Sequence, residues 1–298
     1  MVPHCLPPDI EERLARLENL LASCIICPRR CQVNRLRGEL GHCALPAEPV
    51  ISSFGPHHGE ERVLSGSRGS GTIFFTSCNL NCVYCQNYEI SQLRYGKPVT
   101  VEDLAYIMLS LEKQGCHNIN LVSPTPQAAS IARAIFLARS RGLSVPIVYN
   151  TGGYDAVETL RLLSRLIDIY MPDFKYGSAL EGRRYSNVPR YPSIARAALK
   201  EMHAQVGDLV IENGLAVRGL LVRHLVLPND ISRSKRVFAF LASEISPNTY
   251  VNVMSQYYPA YRATAFPELS RRVTPAEYDA AVAAARDAGL RRLEIQGL

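Results

Sequence analysis

From residue 71 onward, short runs of branched and aromatic residues recur: TIFFTS (72–77), INLVS (119–123), PIVYNT (146–151), IDIYMP (167–172), LLVRHLVLP (220–228) and YVNVMSQ (250–256). Most are apolar almost throughout rather than alternating, the pattern of strands covered on both faces. Helical spacing lies between them, over 100–115, 126–142, 154–166, 191–206, 232–245 and 274–289. Thr100 with Asp103 predicts a capping box, and Gly115 a stop. Thr274, Pro275, Glu277 and Gly289 mark the ends of the last helix in the same way. RRLEIQ predicts a final short strand. Six alternations of strand and helix call for right-handed βα units around a parallel sheet. The length remaining from residue 71 falls short of the ~250 residues of a full eight-fold barrel. The predicted class is α/β, a partial (β/α)6 TIM-like barrel, with a doubly wound sheet as the alternative. Either way, functional groups collect at the C-terminal ends of the strands.

The N-terminal part follows another pattern. Ile10, Leu14, Leu17 and Leu21 lie at helical spacing within 9–22, with charges between them. Then Pro, Gly, Arg and Cys replace periodicity in CIICPRRCQVNRLRGELGHC (24–43), a loop-rich module with little apolar material of its own. Clusters of Gly, Ser, His and Pro over 52–70 read as a link. The expected division is residues 1–65, helix and four-cysteine module, and 66–298, the barrel.

Composition adds limits. Hydrophobic content of 47% and charged content of 20% are ordinary for a soluble globular protein. The N-terminus lacks the basic and apolar regions of a secretory signal, and no apolar run approaches the ~20 residues of a membrane helix. A cytoplasmic protein without membrane partners is expected. The net charge of +6 is mild, although Arg29, Arg30, Arg35 and Arg37 concentrate some of it. It is too diffuse to predict nucleic-acid binding. Nine cysteines, an odd number, argue for metal or redox chemistry over a disulfide framework.

Three of those cysteines, Cys78, Cys82 and Cys85, follow the first predicted barrel strand as C-x3-C-x2-C. Three thiolates cannot complete a [4Fe–4S] cube, which takes one ligand per iron, so one iron is left for a small molecule. A zinc site completed by a distant His, or a cluster completed by Cys116, is the competing reading. The stretch resembles the signature of the radical S-adenosylmethionine (radical SAM) superfamily, including the aromatic residue before the third cysteine, here Tyr84. MPDFK (171–175), RHLVLP (223–228), VNVMSQYYPAYRA (251–263), CQN and YNTGGYD resemble segments of pyruvate formate-lyase activating enzymes and, most closely, of uncharacterised iron–sulfur proteins related to them.

The resemblance implies a [4Fe–4S] cluster on Cys78, Cys82 and Cys85. Its open iron would take the amino and carboxylate groups of S-adenosylmethionine, whose reductive cleavage gives a 5′-deoxyadenosyl radical that abstracts hydrogen from a substrate. It places Asp173 and Lys175 by the ribose or a cation, and Arg223 facing the S-adenosylmethionine carboxylate. Tyr84 and Asn150 join the cofactor-binding set. Where the family carries a Gly-Gly-Glu-like segment this chain has SPTPQ, so Ser123 and Thr125 are the candidate contacts to the amino group. The glycines of NTGGYD suit either close approach to a ligand or a tight turn. Tyr257, Tyr258 and Tyr261 suit a substrate channel or simple packing. His224 falls on the strand face opposite Arg223 and reads as structural.

Cys24, Cys27, Cys31 and Cys43 form a second set, C-x2-C-x3-C-x11-C, able to close a zinc or iron–sulfur site for a structural or electron-relay role. Four reduced thiols without metal is the alternative. Cys5 stands apart, and Cys116 reads as a small buried residue. The function expected is that of a radical SAM enzyme, with activation of a glycyl-radical protein one form of it. A flavodoxin or ferredoxin reductant is implied, and a protein is one candidate substrate. The contrasting reading is a non-catalytic zinc or iron–sulfur module for redox sensing or nucleic-acid binding.

Overall fold

The computed structural model describes residues 6–295; Cys5 and Gln296, the latter in the predicted final strand, lie outside them. Among the described residues one sheet holds ten strands. They are β1 (Val50–His57), β2 (Ser70–Phe75), β3 (Lys97–Pro98), β4 (Ile119–Val122), β5 (Ile147–Thr151), β6 (Ile169–Pro172), β7 (Val210–Glu212), β8 (Leu215–Leu225), β9 (Tyr250–Met254) and β10 (Arg292–Ile295). Their order is β10-β9-β8-β6-β5-β4-β2-β1-β3, with β7 antiparallel to β8. From β2 to β10 every neighbour along this path is parallel. Over the parallel strands β2 to β10 the order never reverses, so there is no topological switch point among them and the doubly wound alternative is excluded. The path also has two ends. This is a partial barrel.

The two faces of its strands differ. Ile119 and Leu121 of β4, and Val251 and Val253 of β9, turn outward into the core shared with the helices. Val148, Ile169, Met171 and Leu221 turn inward and meet Leu64 in a separate apolar cluster. The alternation was hidden in the sequence because both faces are buried. The helices Val101–Lys113 and Pro275–Asp287 begin with the expected capping boxes, Thr100–Asp103 and Thr274–Glu277.

The reading of 52–70 as a link is corrected. Val50–His57 forms β1, antiparallel to β2, and the short helix Arg62–Ser65 sends Leu64 into the barrel. β8 also begins earlier than predicted. It leaves β7 through Asn213–Gly214, both with positive φ, a two-residue hairpin signal that the apolar pattern overlooked.

The amphipathic helix forms as expected, over Ile10–Asn19, with Leu14 and Leu17 buried. Arg133 binds it through Glu11 and Glu18 (2.8 and 2.9 Å). The cysteine-rich segment after it is held through its backbone. The Arg35 guanidinium, fully enclosed, donates to the carbonyls of Pro46 and Pro126, and Thr159 Oγ1 donates to the Ile26 carbonyl (2.8 Å). No helix among the described residues is long and apolar enough to cross a membrane.

Candidate active site

β2 ends at Phe75, and Ser77 enters a left-handed conformation (φ 70°) just before Cys78. That bend turns the loop across the C-terminal mouth of the barrel. All three loop thiols are free. Leu80 N–H donates to Cys78 Sγ (3.4 Å), Cys82 Sγ shares a hydrogen bond with Ser186 Oγ (2.9 Å), and Cys85 Sγ shares one with Ser91 Oγ (3.1 Å). Burial pushes Cys78 up to about 12, with the nearby Cys82 and Cys85 sulfurs adding to the shift; burial pushes Cys82 up to about 11. A ligating thiolate therefore forms as a metal displaces the proton.

No group of three or more His, Cys, Asp or Glu side chains among the described residues is gathered as a chelate for one ion. A cubane makes a different demand, because each sulfur bonds a different iron. Three free thiols on one loop, with Cys82 and Cys85 in electrostatic reach of Cys78, are the donor set such a cluster takes. Cys116 is no candidate for the fourth corner. Its Cβ packs where Gly71 lacks one, at the opposite end of β2.

Behind the loop stands an aromatic wall. Tyr84 hydroxyl donates to Tyr176 hydroxyl (2.6 Å), which bonds Ser186 Oγ (2.7 Å), which in turn bonds Cys82. Tyr257 packs edge-on to Tyr84 and donates to the Leu269 carbonyl. Tyr261 stacks on Tyr88, while Tyr258 is exposed. Tyr257 and Tyr261 are thus occupied in packing. Tyr176 and Ser186 were not singled out from the sequence; only the closeness of Tyr176 to the D-x-K segment hinted at the former.

The charged candidates meet in one network. Asp173 accepts from Lys175 Nζ (2.6 Å) and Arg223 Nε (2.9 Å), while Arg223 Nη2 donates to Asn150 Oδ1 (2.7 Å). Burial opposes each of these charges, yet the pairing wins. Asp173 stays below the usual carboxylate range because of Arg223 and Lys175, and Lys175 and Arg223 are both held above their ordinary values chiefly by Asp173. Lys175 also lies within electrostatic reach of Cys82. The network therefore adjoins the cysteine loop.

Tyr191, absent from the sequence-based set, holds this turn in place. Its hydroxyl donates toward the carbonyls of Gly152 (2.9 Å) and Asp173 (2.8 Å) and accepts from Lys175 N–H (2.9 Å). Gly153 has positive φ (76°), and a Cβ there would stand 2.2 Å from the Asp173 carbonyl oxygen. The glycine serves close backbone packing.

The remaining candidates are divided. Ser123 lies half-buried at the end of β4, again left-handed (φ 60°). Thr125 is buried, and its hydroxyl is engaged by Asp155 (2.7 Å) and Thr151 (3.0 Å). His224 is structural, as expected. Its Nδ1 bonds the Phe174 carbonyl and its Nε2 bonds Ser234, and burial lowers it to about 4.

Cys24, Cys27, Cys31 and Cys43 share one void but are not gathered as a chelate for one ion. They line one enclosed void with room for about 10 Å³, together with Arg29, His42 and Asn79. Burial pushes Cys27 up to about 12, with the other three sulfurs adding to it. That room suits one ion or water and not a cubane, and a metal would have to draw the sulfurs inward. The void abuts the cluster loop directly. Ser77 Oγ donates to the Cys43 carbonyl (2.6 Å), and Arg29 Nε donates to the Asn79 carbonyl (2.8 Å).

Comparison with known proteins agrees with the three-cysteine loop. A family model described as Radical SAM superfamily matches residues 72–230. The uncharacterized protein MJ0674 of Methanocaldococcus jannaschii is 34% identical over 284 residues, covering 92% of this chain and 77% of that one. Among solved structures, that of HydG, a maturase of the [FeFe]-hydrogenase, aligns with 72% of this chain at 15% identity and a TM-score of 0.49. The aligned part is 47% of the HydG chain, so this chain spans about half its length. The family match takes in the cysteine loop and the Asp173–Lys175–Arg223 network, and this chain belongs to the radical SAM superfamily.

Proposed function

We propose that the protein holds a [4Fe–4S] cluster on Cys78, Cys82 and Cys85 and abstracts hydrogen from a substrate bound in the barrel. When bound, the cluster supplies the electron that breaks the S–C bond of S-adenosylmethionine and so generates a 5′-deoxyadenosyl radical. The observation that carries this reading is the three free thiols on one loop beside a buried, charge-balanced network. Within it, Arg223 would receive the cosubstrate carboxylate. Asp173, fixed by Lys175 and Arg223, would take the ribose hydroxyls or a cation. Tyr84 and its aromatic neighbours keep water from the sulfurs. With Thr125 engaged, Ser123 and nearby backbone would serve the amino group.

The finer reading is activation of a glycyl-radical partner protein, supported by the resemblance of MPDFK and RHLVLP to activating enzymes. A flavodoxin or ferredoxin would deliver the electron, and the net positive charge suits such acidic donors. The four-cysteine module would hold one structural metal ion beside the loop. The test is anaerobic reconstitution with iron and sulfide, followed by dithionite and S-adenosylmethionine. Brown protein that releases 5′-deoxyadenosine is expected, with Cys82→Ala abolishing the release. Colourless protein retaining only zinc would overturn the reading in favour of a non-catalytic metal module. A glycyl-radical signal on an added partner tests the finer claim.

A further inference from the structure

The inner face of the barrel, next to Arg223, carries polar groups whose hydrogen-bonding capacity is unfilled. Asn120, in the middle of β4, is 0% exposed, and neither its Oδ1 nor its Nδ2 has a hydrogen-bond partner. Asn252, in the middle of β9 and 2% exposed, donates through Nδ2 to Glu61 Oε1 (2.9 Å). Asn252 Oδ1 and Glu61 Oε2 are left buried and unpartnered. Glu60 lies beside them. It sits 3.8 Å from Arg223 Nη1 and leans on Asn120 without a well-formed bond. Glu294 of β10 stands in register with Asn252 and accepts from Tyr250 hydroxyl (3.1 Å). Burial raises both Glu60 and Glu294.

The balance of donors and acceptors is informative. A carboxylate only accepts, so the Asn252 amide nitrogen must face Glu61, and the atom left open is its carbonyl oxygen. The open atoms are then three acceptors, Asn120 Oδ1, Asn252 Oδ1 and Glu61 Oε2, against one donor, Asn120 Nδ2. On the same inner face Leu64, Val148, Ile169, Met171 and Leu221 form an apolar surround, with Val148 in register with Asn120. Buried acceptors without donors cost stability until something supplies N–H groups. Glu60, Glu61 and Glu294 add three carboxylates, and Arg223 is the one guanidinium set against the first two. An apolar ligand would leave every open atom unpaired, and an anionic one would bring further acceptors where donors are lacking.

We propose that this cage binds a protonated nitrogen group, an ammonium or guanidinium, carried by the substrate. The assignment rests on the radical SAM reading above, which places the substrate in the same lumen. Sequence-distant residues build the cage: Glu61 from the turn before the Leu64 helix, Asn120 from β4 and Asn252 from β9.

The test is titration of the reconstituted holoenzyme, with S-adenosylmethionine bound, with methylguanidinium and with N-methylurea. The two probes have nearly the same shape, and only the first is charged. Calorimetry or ligand-observed NMR should show saturable binding of methylguanidinium at least about tenfold tighter than that of N-methylurea. Glu61→Gln should weaken it about tenfold, whereas Glu244→Gln, at an exposed site paired with Lys200, should not. Thermal melts check that each variant is folded, and the wild-type comparison of the two probes needs no variant. No saturable binding, or equal affinity for both probes, overturns the proposal; the open atoms then hold internal water only. Release of 5′-deoxyadenosine is read separately. A protein that cleaves S-adenosylmethionine but ignores methylguanidinium refutes the cage alone. One that binds methylguanidinium and never releases 5′-deoxyadenosine refutes the radical reading, and with it the claim that the bound group belongs to a substrate.

Discussion

Asp155 accepts hydrogen bonds from Thr125 and Thr151 (both 2.7 Å), yet burial wins and raises it to about 6. The folded state thus holds this proton more tightly than the unfolded chain, whose ordinary value is 3.8. Its stabilising contribution is complete below the unfolded value and is lost as pH rises through about 6. Relative to Asp155→Asn, the wild type should lose about 2 kcal/mol of unfolding free energy between pH 4 and pH 7, by the conversion of pKa shift to free energy. Urea unfolding of both proteins across that range measures the difference; parallel curves would show that Asp155 ionises freely. Tyr191 makes a second residue-scale case. Tyr191→Phe leaves two carbonyls and one amide without their shared partner, a cost of about 1–3 kcal/mol. Because those groups belong to the turn that sets Asp173 and Lys175, S-adenosylmethionine affinity should fall together with stability. Unchanged affinity alongside lost stability would confine Tyr191 to a structural role. Gly153→Ala must place its Cβ against the Asp173 carbonyl at positive φ, and a loss of about 1–3 kcal/mol from strain alone is expected in the same unfolding assay. The sequence of this turn already held both readings of its glycines, ligand approach and tight packing. Only the Asp173 carbonyl beside the missing Cβ selects the second, and that neighbour lies twenty residues away.

At the scale of elements, the site divides by how far apart its parts lie in the chain. The cysteine loop was legible because its chemistry needs three sulfurs within eight residues, immediately after a strand. Asp173 and Lys175 were legible only through the resemblance of MPDFK to activating-enzyme segments, and Arg223 through that of RHLVLP and its place inside an apolar strand. The lumen cage was not, although the same signal was present. INLVS and YVNVM each place an asparagine inside an apolar strand, where a polar side chain must find a purpose. Strand recognition divides similarly. The parallel strands announce themselves as apolar runs, while β1, largely exposed after Ile51, and the edge strand β3 are rich in Gly, Pro, Ser and Lys and resemble loops. Contact between the four-cysteine module and the cluster loop had no sequence signal at all, because it runs largely through backbone carbonyls. Ser77→Ala tests that contact. It deletes the bond to the Cys43 carbonyl and should cost about 1 kcal/mol. If the module braces the loop, the reconstituted variant should also lose its brown absorbance in air faster than wild type. Identical decay would show that the two cysteine sets are independent.

The whole molecule is a barrel left open, and the opening has a consequence for access. β5 and β6 lie between parallel neighbours on both sides and are buried along their full lengths. Among the described residues β10 pairs with β9 alone, and its own residues are only partly covered. Local opening draws on the elements with the fewest buried contacts and the most exposed backbone bonds. Native-state hydrogen exchange should therefore find the amides of β5 and β6 protected nearly to the global unfolding free energy, and those of β10 exchanging far sooner. Glu294 sits on β10 in register with Asn252, so the edge that opens first is a wall of the polar lumen. A substrate could then reach the cage from the side while the cysteine loop keeps the mouth covered. Such a route also makes a directional claim: binding of a cationic ligand in the lumen should slow exchange at β9 and β10 more than at β5 and β6. Uniform slowing across the sheet would place the entrance elsewhere.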